Sequence, residues 1–167
     1  MGVILMKDHD KNKGRKGERN LIEKLLLSAE RAGEDVDFSK PTYTNEPDDG
    51  LDIEMKAPHN FGEKLEAIVN NDDVPPSSTT NIDIRIDHKN YQDKIGKPIV
   101  AKFIDDCEKN PNDSEHWLTG GKGLTAPAQK ELKKSEHVTR YFSNDDLNKI
   151  EQYFENEAEN MIDNDEE

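Results

Sequence analysis

One cysteine, Cys107, stands in 167 residues, so the chain can form neither an internal disulfide nor a cysteine-based zinc cluster. Cys107 is expected in the core. No apolar run approaches the roughly eighteen residues that a spanning helix needs. Met1-Gly-Val-Ile-Leu-Met6 is too short for the apolar region of a signal peptide, and mixed charge follows it. These absences point to a cytoplasmic protein with no membrane partner. Hydrophobic residues make up 31% of the chain and aromatic ones 6%, against 36% charged. That balance predicts a single small core with several solvated segments. The five histidines show no paired ligand spacing, which argues against zinc. Gly120-Gly-Lys-Gly123 lacks the Gly-x4-Gly-Lys-Ser/Thr pattern of a phosphate loop and reads as a turn.

Positive charge is also scarce. The net charge is -14, which argues against a generic polyanion binder, because phosphate affinity comes largely from Lys and Arg displacing counterions. The acids are concentrated at one end: between Asp145 and Glu167, ten of them face one base, Lys149. Lys7, Lys11, Lys13, Arg15, Lys16 and Arg19 form a basic run near the other end. The expected organisation is a mobile basic segment over 1–15, a folded domain over 16–155 with an insertion at about 57–80, and an acidic tail over 156–167. The tail is expected to fray, and it could fold over the basic run or the DNA face and restrain binding.

Two stretches alternate strictly. In Asn81-Ile-Asp-Ile-Arg-Ile-Asp-His-Lys89, the isoleucines point one way and Asp83, Arg85, Asp87 and Lys89 the other. In Gly50-Leu-Asp-Ile-Glu-Met-Lys56, Leu51, Ile53 and Met55 oppose Asp52, Glu54 and Lys56. Paired as a hairpin, the two strands cluster acids and lysines at one spot. Between them, Phe61, Leu65, Ile68 and Val69 have helical spacing, and 70–80 reads as a flexible loop.

Elsewhere, Leu21, Ile22, Leu25, Leu26 and Ala29 predict a helix opening near Lys16 and ending at Gly33. A short strand is expected at Thr42–Thr44. Pro98 can open a helix carrying Ile99, Val100, Phe103, Ile104 and Cys107, and Thr125 can cap another. Strands are expected at His116–Thr119 and His137–Phe142. Ser143-Asn-Asp-Asp146 reads as a capping box before a helix with Leu147, Ile150, Tyr153 and Phe154 inward. The order predicts an α/β fold: a central mixed sheet flanked by helices, with an antiparallel hairpin first and parallel crossovers after it.

An acid on one strand and acid-x-Lys on its neighbour suit metal-assisted phosphodiester hydrolysis. Hard oxygen ligands hold Mg²⁺, and a lysine supports developing charge. Asp52 and Asp87 are the candidate ligands, Lys89 the charge stabiliser, and the backbone carbonyl of His88 a further ligand. Glu54-Met-Lys56 is also acid-x-Lys and could pair with Asp48. Asp87-His-Lys89 is preferred because Asp52 then supplies the first acid. Asp83 and Arg85 fall outside that cluster and are expected to be dispensable.

These pieces resemble the PD-(D/E)XK nucleases of the restriction-endonuclease-like superfamily, in particular the Mrr-type restriction endonucleases and archaeal-type Holliday-junction resolvases. The resemblance rests on Lys16-Gly-Glu18, Gly50-Leu-Asp52, Asp87-His-Lys89 with Asn90-Tyr91, Ile95-Gly-Lys-Pro98 and Leu124-Thr-Ala-Pro-Ala128, in that order over roughly residues 16 to 150. It implies a restriction-endonuclease-like core and a Mg²⁺-dependent DNA endonuclease, with Mn²⁺ as a substitute. It also implies that Glu18 joins Asp52, Asp87 and Lys89 at the catalytic site. DNA is the expected partner, with a homodimer or a protein partner because cutting two strands commonly uses two sites. The alternative is a catalytically inactive nuclease-fold protein acting as a binding or assembly subunit through its acidic surface.

Overall fold

The computed structural model describes residues 20–39, 42–43 and 50–165. The basic run, Glu18, Asp48 and the last two residues lie outside that set. The first described helix, α1 (Leu21–Arg31), is shorter than its sequence pattern suggests, because Asn20 caps it by accepting a hydrogen bond from the Glu23 backbone N–H at 3.0 Å. Ile22, Leu25, Leu26 and Ala29 are fully buried along one stripe. The chain then turns through Gly33, whose φ of +89° suits glycine at a helix exit.

Two short strands follow, β1 (Asp37–Phe38) and β2 (Thr42–Tyr43), and both pair antiparallel with β3 (Leu51–Pro58). The second lies where a strand was expected; β1 was missed, because two residues carry no period. Helix α2 (Phe61–Asn70) separates β3 from β4 (Asn81–Lys89), and the two strands form an antiparallel ladder from Leu51↔His88 to Pro58↔Asn81. Helix α3 (Lys97–Lys109), with Pro98 in its first turn, leads to β5 (Glu115–Gly120), which runs parallel to β4. Helix α4 (Ala126–Lys133), capped by Thr125, leads to β6 (Thr139–Phe142), parallel to β5. The strand path is β1-β3-β4-β5-β6, with β2 also on β3. The expected mixed sheet, hairpin first and crossovers after, is present.

The sheet separates two unequal layers. On one face Ile53, Met55, Ile84, Ile86 and Trp117 pack against α1, α2 and the long helix α5 (Asn144–Asp165). On the other, Leu118 packs with Val100, Phe103 and Cys107 of α3 and Ala128 of α4 in a smaller cluster. Cys107 is buried there as expected.

One expectation needs correction, that of a tail fraying beyond residue 155. The stretch 57–80 interrupts the hairpin and also feeds the core: Phe61 is fully buried, with its ring 6.0 Å from Trp117 and 6.3 Å from Phe154. The irregular segment 71–80 is tied back to the fold through Ser77 and Ser78. Asn60 accepts from Ser78 N at 2.9 Å, and Lys64 reaches Glu34 at 2.6 Å and Ser77 at 3.0 Å. The tail continues as helix to Asp165, because Ala158 is buried and Met161 lies beside Gly33, prolonging the stripe of Leu147, Ile150 and Phe154. Ser28 and Arg31 of α1 both bond Glu155, which ties α5 to the layer opposite α3.

Candidate active site

The polar face of the β3–β4 hairpin reads as a ladder of charge. Lys56 stands opposite Asp83 and their charged groups meet at 3.3 Å. On the next rung Glu54 stands opposite Arg85, so both of these rungs pair opposite charges. The third rung breaks the rule, because Asp52 stands opposite Asp87. Like charges directly opposite on a sheet are destabilising. Two cations partly offset this pair: Arg85 Nη1 lies 3.3 Å from Asp52 Oδ1, and Lys89 Nζ lies 3.3 Å from Asp87 Oδ1.

Burial makes the rung more demanding still. The Asp87 residue is 3% exposed and Lys89 5%. Loss of water around the Asp87 carboxyl pushes its pKa up from 3.8 to about 6; Asp52 adds to the rise, while Lys89 and Arg85 oppose it. The Asp52 side chain stays 44% exposed, so the rung has one wet and one dry carboxylate. Glu54, at the rim, is raised to about 7 by desolvation and by the carboxyl of Asp113.

Helix α3 closes over this floor and leaves a cavity of about 350 Å³. The strands contribute Asp52, Glu54, Arg85, Asp87 and Lys89 to it; the helix contributes Lys102, Asp106, Lys109 and Asn110. The helix positions recur with helical spacing beside the buried Val100, Phe103 and Cys107, so one helix anchors an apolar stripe and presents a charged one next to it. Behind the cavity, Gly120 at the end of β5 has φ +106°, and a side chain there would collide with the Lys89 carbonyl, its Cβ only 1.9 Å from that oxygen. That close approach holds β5 against the strand end that bears Lys89.

His88 points away from the carboxylates. Its Nδ1 lies 2.8 Å from Thr119 Oγ1 on β5, and burial with the nearby Lys89 charge holds its pKa down at about 4, so the ring is neutral near pH 7. No protein-family model, no curated protein and no solved structure matches the chain. What the site can do must follow from its own groups. Among the described residues, no three His, Cys, Asp or Glu side chains come together in a set that could hold a metal ion. Asp52 and Asp87 make two, and Glu18, the expected third, lies outside the described residues.

The second acid-x-Lys lies differently. Glu54 and Lys56 are exposed, and Lys56 is engaged with Asp83. Asp83 lies away from the cavity floor, as expected, but Arg85 does not: it is 4% exposed and contacts Asp52. Its expected dispensability is therefore withdrawn. The sequence placed Arg85 on the correct face but gave no sign that its guanidinium leans diagonally onto Asp52. The α3 residues were missed altogether, although Lys102, Asp106 and Lys109 at i, i+4 and i+7 mark a common face.

Proposed function

We propose that the chain is a metal-dependent DNA endonuclease of restriction, repair or junction-resolving type, hydrolysing phosphodiester bonds at the Asp52–Asp87 rung. The observation that carries the reading is the like-charged rung itself, set beside two complementary ones on the same hairpin. A carboxylate pair kept together, half desolvated and with a lysine at 3.3 Å, suits a bound cation better than it suits the free protein. Asp52 and Asp87 would hold Mg²⁺, or Mn²⁺ in its place, with the backbone carbonyl of His88 and Glu18 completing the set. The ion would supply Lewis acidity at the scissile phosphate. Lys89, held beside Asp87, would set its Nζ group against negative charge developing on phosphate oxygens. Helix α3 limits water around Lys89 and Asp87, which strengthens both effects.

In the competing reading the nuclease fold is retained as a binding or assembly subunit. The Arg85 contact to Asp52 favours it. The deciding experiment incubates purified protein with supercoiled, linear, branched and methylated DNA in Mg²⁺ or Mn²⁺. Nicking that is lost with EDTA and in both Asp87→Ala and Lys89→Ala is expected. Intact DNA in every form would overturn the enzyme reading.

A further inference from the structure

Arg85 is a cation placed where a metal ligand has to work. Its guanidinium is almost wholly buried, yet among the described residues it makes one ion pair, to Asp52 Oδ1 at 3.3 Å. The Nε group donates to His116 Nδ1 at 3.4 Å, the Phe103 ring centroid lies 5.7 Å from Cζ, and Nη2 is buried without a hydrogen-bond partner. A residue serving only to brace the sheet against α3 would be expected to satisfy all its donors, because an unmade buried hydrogen bond is costly. This guanidinium instead sits beside the Cys107 thiol of α3 with one long ion pair, to a carboxylate that is 44% exposed.

Charge balance gives the arrangement a direction. Among the described residues the cavity is lined by Asp52, Glu54, Asp87 and Asp106 and also by Arg85, Lys89, Lys102 and Lys109, so cations already stand among its carboxylates before any metal enters. A divalent ion reaching Asp52 meets a fixed positive charge already on that carboxylate, and like charges at such short range repel strongly even where the surroundings screen them.

We propose that Arg85 is the built-in counter-ion of Asp52, competing with the divalent cation for that carboxylate and keeping metal affinity low until DNA is present. This role rests on the nuclease reading of the same site. Phosphate oxygens of the substrate both offset the added charge and offer Arg85 another acceptor, so DNA and metal bind with positive coupling, each tightening the other by the same factor.

The test is Mn²⁺ titration by calorimetry without DNA, on wild-type protein, Arg85→Gln and Arg85→Lys. Arg85→Gln should bind Mn²⁺ at least tenfold more tightly than wild type, whereas Arg85→Lys, which keeps the charge, should stay within about threefold of it. A purely structural arginine gives the opposite sign or none, since loosening the site weakens metal binding. Should Arg85→Gln not fold, Arg85→Met carries the same expectation, its thioether packing beside Phe103. In wild-type protein the Arg85 Nε–H resonance should shift as Ca²⁺ is added, and a resonance unmoved at saturation overturns the proposal. Arg85→Gln that folds and binds Mn²⁺ no better than wild type, in a protein that does cut DNA, overturns this role alone. If neither wild type nor variant binds Mn²⁺, both this role and the metal-dependent reading fail. Tighter binding by Arg85→Gln with DNA left uncut leaves the competition for Asp52 standing but overturns its coupling to DNA together with the nuclease reading.

Discussion

The two faces of one sheet have been given opposite tasks. On the face covered by α1, α2 and α5, Ile53, Ile84, Ile86 and Trp117 interlock with Phe61 and Phe154 in an apolar layer. On the face covered by α3 and α4, the same two central strands offer Asp52, Arg85, Asp87 and Lys89, and the apolar cluster shrinks to the neighbourhood of Phe103 and Leu118. The hairpin can tolerate a like-charged rung because its other face supplies the stability. One layer holds the fold, and the other is free to be electrostatically strained.

The largest expected effect tests that division directly. Phe61→Ala removes a fully buried ring that stacks on two others, and should destabilise the protein by about 3–5 kcal/mol in chemical denaturation. A loss below about 1 kcal/mol would mean that α2 is the peripheral insertion its position in the chain suggests.

On the other face the sign should reverse. The Asp87 carboxyl is raised in the fold, from 3.8 to about 6. Its protonated form is therefore favoured by folding: its contribution is full below 3.8 and is lost as pH rises through 6. At pH 7 the ionised carboxylate opposes folding by about 3 kcal/mol. Asp87→Asn should then raise the stability of metal-free protein at pH 7 by up to about that amount, with the gain vanishing below pH 4. A lower melting temperature at pH 7 would show that Lys89 makes the carboxylate a net stabiliser. The same shift governs ligand binding. Mn²⁺ affinity should be level above pH 7 and fall about tenfold per unit below pH 6, as protons compete for Asp87. An affinity flat down to pH 5 would remove Asp87 from the ligand set.

Legibility in the sequence follows the same division. A period of two with charges on one side gave both hairpin strands, their faces and the neighbourhood of Asp52 and Asp87, because a strand's faces are fixed by alternation alone. The Arg85–Asp52 contact was hidden, since a diagonal contact depends on side-chain reach as well as on register. The α3 wall depends on how that helix is rotated against the sheet, which its apolar stripe implies only once the covered face is known. The tail was legible in part: Ala158 and Met161 extend the stripe of α5, but the surrounding acids dilute it. Its described part is a helix tied to α1, in the layer opposite the cavity, while the basic run it was expected to meet lies outside the described residues.

The smallest effect sharpens the comparison most, because it asks which face the proposed nuclease would turn toward DNA. With a net charge of -14, the protein repels a phosphate backbone at long range, so any affinity must come from local contacts. Lys102 and Lys109 line the cavity from the helix side, on the layer that also carries the like-charged rung. Lys149 belongs to α5 on the other layer, where its Nζ donates to the Val69 carbonyl at 2.7 Å. Duplex binding is measured in EDTA between about 50 and 200 mM salt, which keeps cleavage out of the readout. Lys102→Ala and Lys109→Ala should each lower the slope of log K against log salt by about 0.9, one phosphate contact apiece, while Lys149→Ala leaves it unchanged. Equal losses from all three would mean that charge anywhere on the surface serves, and the two faces would no longer differ in what they recognise.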